Sequence, residues 1–235
     1  MLYNGTMIQR LDKFLSDAAI GTRKEIKCLI VKKKVSVDGN VVSDPSLKFD
    51  FDKVKVELDG KQIKQCGCVL CVLNKPAGYV TSTDDPFSPT VMELVPSDYL
   101  NMGVVPVGRL DKDTEGVLLF SNDGTLIHRL ISPKSGIEKV YYAEFEGLCP
   151  DDIVQRFANG IELKDGSICK NAAFEKLSES SCRITIKEGM YHQVKRMMAA
   201  CSLHVTYLRR ERFDNITCED LPLGGFKEVE DYYGN

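Results

Sequence analysis

Short apolar runs of strand length punctuate the second part of the chain: Val69-Leu70-Cys71-Val72-Leu73, Val104 to Val107, Val117 to Phe120, Tyr141 to Phe145 and Ile184-Thr185-Ile186. Helix signals intervene only at 125–131, at 151–159 between Pro150 and Gly160, and at 191–201. Strands therefore outnumber helices and do not alternate strictly with them. That pattern selects an α+β fold with a mixed, largely antiparallel sheet flanked by helices.

Residues 8–60 read differently. Leu11, Phe14, Leu15 and Ala18 recur at three- and four-residue spacing, the period of a short amphipathic helix. Thr22 is a candidate N-cap, and Glu25 three residues on completes a capping box. The helix that follows turns Ile26, Leu29 and Ile30 inward and leaves Arg23, Lys24, Lys27 and Lys32 outside. Val35-Ser36-Val37 then faces Val41-Val42 across Asp38-Gly39-Asn40, a hairpin signal. Alternation returns at Val54 to Leu58 before Asp59-Gly60. A small N-terminal α/β domain over 8–60 is the result. The polar residues 61–67 are expected to be a linker, and 68–235 a second, larger domain.

The net charge of −3 by itself disfavours a nucleic-acid partner. The average conceals an uneven distribution. Residues 1–65 carry 13 Lys/Arg against 9 Asp/Glu, and residues 183–212 carry seven basic groups against Glu188 and Glu211. Phosphate contacts need local rather than net positive charge, so a polyanion gripped at two basic surfaces is expected. A solvated face accounts equally well for Lys32-Lys33-Lys34 taken alone. No apolar run approaches the ~20 residues of a membrane span. The opening Met1-Leu2-Tyr3-Asn4-Gly5-Thr6 has no basic region followed by an apolar stretch, so no secretory signal is expected. Nine scattered cysteines, an odd number, suit reduced thiols in a cytoplasm.

Cys66, Cys68 and Cys71 have a spacing that zinc accepts, but no second close pair accompanies them. Cys71 also fits a strand interior as a small hydrophobe, and no metal is expected. Asp111 to Gly116 imitates the first half of a calcium-binding loop, yet its twelfth position is Asn122 instead of a bidentate glutamate. No phosphate-cradling loop, dinucleotide fingerprint or serine elbow is present. The three histidines lie far apart, and ordinary structural roles are expected for each. There remains Asp111, on a polar, glycine-flanked turn between two buried runs, where a fold can present one carboxylate to a substrate. An ordinary charged hairpin turn accounts for those residues as well.

Four ordered blocks decide between these readings: Leu73-Asn74-Lys75-Pro76-Ala77-Gly78-Tyr79-Val80; Gly108-Arg109-Leu110-Asp111-Lys112-Asp113-Thr114-Glu115-Gly116-Val117-Leu118-Leu119 with Ser121-Asn122-Asp123-Gly124; Glu138-Lys139-Val140-Tyr141; and Glu188-Gly189-Met190-Tyr191-His192-Gln193-Val194-Lys195-Arg196-Met197. Together they resemble the pseudouridine synthases that modify ribosomal RNA. Arg10-Leu11-Asp12-Lys13-Phe14-Leu15, Thr22-Arg23-Lys24-Glu25 and Val35-Ser36-Val37-Asp38-Gly39 resemble the small RNA-binding domain named after ribosomal protein S-four. The two resemblances span about residue 8 to residue 230. Thr22 stands where the small domain usually has Ser, which keeps the hydroxyl cap. Met190 stands where the family usually has a basic residue. Tyr79 to Pro86 and Tyr191 to Arg196 are more similar to members acting on the small ribosomal subunit than to those acting on the large one.

The resemblance implies isomerisation of a specific uridine to pseudouridine in ribosomal RNA, with small-subunit (16S) rRNA as the expected target. The bond from the sugar to ring nitrogen is broken and re-formed to carbon 5 of the same base. No atom is gained, so no cofactor is expected. Asp111 is the implied nucleophile, attacking either the anomeric carbon or carbon 6, and Lys195 is its implied basic partner. Tyr141 is implied to stack on the base and to assist in removing the carbon 5 proton. Arg109 is implied to fill the space the flipped uridine leaves, with Tyr191 and Arg196 also binding substrate. Arg10, Arg23, Lys24, Lys27 and Lys32 are the implied RNA contacts. Base flipping in folded RNA costs a few kcal/mol, offset by phosphate contacts that weaken as salt rises. The implied partner is ribosomal RNA or a ribosomal precursor particle, and the chain is read as a cytoplasmic monomer. Two rivals stand beside this reading: a synthase acting on large-subunit (23S) rRNA, and a non-catalytic RNA-binding ribosome-assembly factor.

Overall fold

In the computed structural model, which describes residues 8–18, 20–51, 53–63, 67–230 and 232, two Asp-Gly pairs set the register of the N-terminal sheet. Asp38 and Gly39 adopt φ of 49° and 78°, and Asp59 and Gly60 adopt 47° and 79°. Two consecutive left-handed residues make the tight hairpin turn whose twist matches its strands. Met1 to Thr6 and Cys66, on which the secretory and zinc readings partly rest, lie outside the described residues, as do linker positions 64–66.

The elements of this region are β1 (Ile8–Arg10), α1 (Leu11–Asp17), α2 (Arg23–Val31), β2 (Val35–Val37), β3 (Asn40–Val41), β4 (Lys48–Asp50), β5 (Val56–Leu58) and β6 (Lys61–Ile63). β1 pairs with β4, and the order β3-β2-β5-β6 forms an antiparallel sheet. Both halves of the Thr22–Glu25 capping box are made. Leu11, Phe14, Leu15, Ile26 and Ile30 pack with Val35, Val37 and Val56 into one core, while Leu29 is only half-buried. One expectation needs correction. Lys61–Ile63 is not linker but a strand, because the second Asp-Gly turn returns the chain along β5.

The following elements are β7 (Leu70–Lys75), α3 (Ser97–Asn101), β8 (Val105–Val107), β9 (Glu115–Ser121), α4 (Gly124–Ile131), β10 (Lys139–Glu146), α5 (Ile153–Asn159), β11 (Ala173–Lys176), β12 (Ser181–Ile186), α6 (Gln193–Ala200), β13 (His204–Phe213), β14 (Ile216–Thr217) and β15 (Phe226–Glu228). Contacts group the chain into two units, Met1–Cys68 with Ser97–Val104, and Val69–Pro96 with Val105–Asn235. In the second, a sheet runs β11-β12-β10-β13-β9-β7-β15, with β8 on β9 and β14 on β13. Every pairing in it is antiparallel except β9 with β13, so the sheet is mixed and the class is α+β. β7 and nearly all of β9 are buried along their whole length, as continuous apolar runs require, and Leu126 and Leu130 of α4 cover one face. Among the described residues, no helix is long and apolar enough to cross a membrane.

β13 was legible only as charge, yet it is the longest strand and lies between β9 and β10. Its register aligns five residues across the sheet: Ile184 on β12, Tyr141 on β10, Arg210 on β13, Gly116 on β9 and Lys75 on β7. The turn carrying Asp111 leads directly into that row.

Candidate active site

The turn at 110–114 is built by residues far away in sequence. Lys75, with no exposed surface, donates through Nζ to the carbonyls of Thr114 at 2.8 Å, Pro76 at 3.0 Å, Asp111 at 3.1 Å and Lys112 at 3.3 Å. The Gly78 N–H donates to Lys112 O, and Thr81 clamps Leu110 through its hydroxyl, donating to Leu110 O and accepting from Leu110 N. Burial pushes the Lys75 ammonium down to about 8, opposed by the negative charges of Asp113, Asp111 and Glu115. Replacing Lys75 by the near-isosteric Met leaves these buried carbonyls without their shared donor, an expected loss of about 1–3 kcal/mol in unfolding free energy. Urea denaturation checks this; a midpoint unchanged from wild type would show that the ammonium is not what holds the turn.

Each oxygen of the Asp111 carboxylate has a side-chain nitrogen of α6 or its N-cap nearby. His192 Nε2 lies 3.3 Å from Oδ1, and Lys195 Nζ lies 3.6 Å from Oδ2. His192 sits in the left-handed region (φ 48°) at the start of α6 and stacks on Tyr191, ring centroids 3.8 Å apart. Lys195 is nearer to Asp113, at 2.6 and 2.7 Å. Burial disfavours the Asp113 carboxylate, but Lys195 outweighs it and holds the group below its usual range. Asp111 opens on a cavity of about 660 Å³ whose lining includes Arg109, Lys139, Tyr141, Met190, Tyr191 and Arg210. Tyr141 and Arg210 are buried, and Arg210 donates to Val117 O at 2.7 Å and to Tyr141 Oη at 3.3 Å.

The structure thus brings Asp111, Tyr141, Tyr191 and Arg109 to one cavity, with Lys195 reaching Asp111 from α6. Arg109 is exposed at the rim. Arg196 is not part of the lining: its guanidinium is bound by Asp165 and by the Tyr191 carbonyl. Hydrogen bonds from Ser167, then Arg196, lower Asp165 to about 2. In the N-terminal unit Arg23, Lys24, Lys27 and Lys32 are exposed, without ion pairs among the described residues, whereas Arg10 is held by two hydrogen bonds to Asp12.

Two readings are corrected. His192 is not an ordinary structural histidine, since it faces Asp111; its place in the Tyr191 to Arg196 block was the one available signal. The basic strip at 183–212 is not a free cationic face. Arg183 pairs with Glu175 and Glu211, Lys187 and Arg212 with Glu138, and Arg210 is 2 % exposed. Most of the neutralising carboxylates lie outside the 183–212 window, so a local count missed them. Cys71 packs inside β7, where burial pushes its thiol up to about 12.

Comparison with known proteins bears directly on this site. A family model described as RNA pseudouridylate synthase matches residues 69–200, and an S4 domain model matches residues 9–54. The chain belongs to the RNA pseudouridylate synthase family. It is 39% identical over 213 residues to the ribosomal small subunit pseudouridine synthase A of Yersinia pestis, covering 90% of each chain. To the protein of the same name from Escherichia coli (strain K12) it is 38% identical over 224 residues, covering 94% of this chain and 96% of the relative. A crystal structure of a pseudouridylate synthase superposes with a TM-score of 0.67 at 31% identity, covering 94% of this chain and 96% of that one. This pseudouridylate synthase is therefore an RNA-modifying isomerase with an S4 RNA-binding domain.

Proposed function

We propose that the chain converts one specific uridine of small-subunit ribosomal RNA to pseudouridine, with Asp111 as nucleophile. The observation that carries this reading is the Asp111 carboxylate at the cavity, with His192 Nε2 near one oxygen and Lys195 Nζ near the other. Positive charge stands near this carboxylate, a group able to act as a covalent nucleophile. Lys195 supplies that charge, shared with Asp113, and Tyr141 stacks on the flipped base. Arg109 at the rim fills the gap in the RNA stack, and Tyr191 contacts a neighbouring nucleotide. Arg196 binds a phosphate by exchanging it for Asp165.

In this reading, residues 8–60 act as an RNA-gripping domain and 68–235 as the catalytic one. Arg23, Lys24, Lys27 and Lys32 carry the grip, joined by Arg10 when phosphate competes with Asp12. The small-subunit target rests on the curated relatives, whose names specify it. The protein works as a cytoplasmic monomer on ribosomal RNA or a precursor particle. Reducing surroundings fit buried thiols such as those of Cys71, Cys169, Cys182, Cys201 and Cys218.

Mapping pseudouridines by carbodiimide modification and primer extension, in rRNA from cells lacking the protein, tests the target. One small-subunit mark is expected to disappear. Loss of a mark only in large-subunit rRNA would overturn the small-subunit assignment, and no lost mark in either subunit would favour a non-catalytic assembly factor.

A further inference from the structure

Lys139 is a cation of the cavity wall to which the reading above gives no task. It lies two residues before Tyr141 on β10, and both side chains line the cavity. Among the described residues its Nζ donates only to the Ile137 carbonyl, at 3.3 Å, and it stands 5.1 Å from the centroid of the Phe213 ring. No carboxylate is within ion-pair distance among the described residues. Most of the neighbouring cations are committed, although Nη2 of Arg210 has no hydrogen-bond partner among the described residues. Arg210 bonds Val117 O and Tyr141 Oη, Lys75 is sealed by four carbonyls, Lys112 donates to Ser88, and Lys195 is held by Asp113. A half-buried ammonium without a counter-ion, beside the ring on which the base would stack, is placed to meet charge that arrives with the substrate.

We propose that Lys139 holds the negative charge that develops on the uracil ring while the bond between the anomeric carbon and ring nitrogen breaks. Whichever atom Asp111 attacks, the electron pair of that bond passes to the ring and spreads onto its carbonyl oxygens. The Lys139 ammonium donates a hydrogen bond to one of these oxygens and keeps its proton. The new bond to carbon 5 then forms, the bond to Asp111 breaks and returns its electron pair to the carboxylate, the carbon 5 hydrogen leaves as a proton, and the ring nitrogen takes one up, so the product is an isomer of the substrate. Donors fixed where charge develops act strongly in a water-poor site. The inference rests on the pseudouridine synthase chemistry with Asp111 as nucleophile.

Lys139 must be protonated for this task. Burial first, and Arg210 second, push its ammonium down to about 8, while Glu188 pulls it up. Its register partners, Ile186 on β12 and Phe213 on β13, carry no charge. The charged form is present below about pH 8 and lost above it. The wild-type rate should therefore fall as pH rises through that value.

The test is single-turnover tritium release by the full chain from small-subunit rRNA, taken from cells lacking the protein and labelled at carbon 5 of uridine. Lys139→Met should slow release by about 10²–10³-fold while filter retention of the RNA stays within about twofold. Lys139→Arg keeps a cation that does not titrate in this range, so its alkaline limb should move upward. A Lys139→Met rate within about threefold of wild type would overturn the proposal, because a lost charge-stabilising donor has a far larger effect. An unmoved alkaline limb in Lys139→Arg would overturn it too, assigning the titration to another group such as Lys75. Should the Met variant not fold, the Arg profile decides alone. Asp111→Asn run in parallel separates the two ideas. Release by that variant undoes the nucleophile reading and this inference with it, whereas a silent Asp111→Asn beside a wild-type-like Lys139→Met undoes only the role of Lys139.

Discussion

Asp111→Asn is expected to lower tritium release from uridine labelled at carbon 5 by roughly 10⁴–10⁶-fold, the scale of loss when a covalent nucleophile is removed. The amide has nearly the shape of the carboxylate and still accepts a hydrogen bond, so the turn held by Lys75, Gly78 and Thr81 should persist. What it lacks is the negative charge and the nucleophilic oxygen. RNA binding should survive, because the exposed cations of α2 are untouched and one anion has left the site. Filter retention and release measured on the same RNA separate the two properties. Undiminished release would remove Asp111 from the nucleophile role.

Gly116→Ala should unfold the second unit or come close to it. A Cβ at this position would lie 2.1 Å from the carbonyl oxygen of Arg210 and 2.9 Å from its carbonyl carbon. The residue also has φ of +96°, which disfavours any side chain. The obstacle is backbone in the middle of the sheet, with no flexible side chain to turn aside. β9 and β13 would have to separate, dismantling the row that contains Tyr141, Arg210 and Lys75. A loss above about 4 kcal/mol is expected, at the extreme of single substitutions. Gly78 is the control: it has the same φ of +96° but nothing within 4 Å. Alanine there should cost only the backbone strain, about 1–3 kcal/mol. Urea melts of the two variants make the comparison, and equal midpoints would show that β9 can yield at Gly116.

The N-terminal unit was readable nearly residue by residue because its signals are local. A capping box, a helical repeat and an Asp-Gly turn each act within a few positions. The error at Lys61–Ile63 came from stopping at the second Asp-Gly pair instead of treating it as the first had been treated, and the pairing of β1 with β4 had no local signal. Around the cavity, Asp111 and Tyr141 were found through ordered blocks, and the structure gathers them at one place. His192 escaped because its relation to Asp111 spans 81 positions and follows no ligand spacing. The opposite error befell the strip at 183–212, where like charges counted together proved to be paired with carboxylates such as Glu138, Glu175 and Asp165.

By itself, then, the order of residues determined the α+β class, the small basic domain, the place of the principal buried strands and the turn bearing Asp111. Periodicity, capping and turn chemistry are short-range effects, and they act before the chain has closed on itself. Only the tertiary structure decided that β13 enters between β9 and β10, that Arg210 is buried beside Tyr141, and that Lys75 supports the Asp111 turn from beneath. Strand order and register depend on how two distant segments satisfy one another's backbone hydrogen bonds and volumes. No single segment carries that information, so the charges that matter at the cavity were assigned by which strands lie side by side.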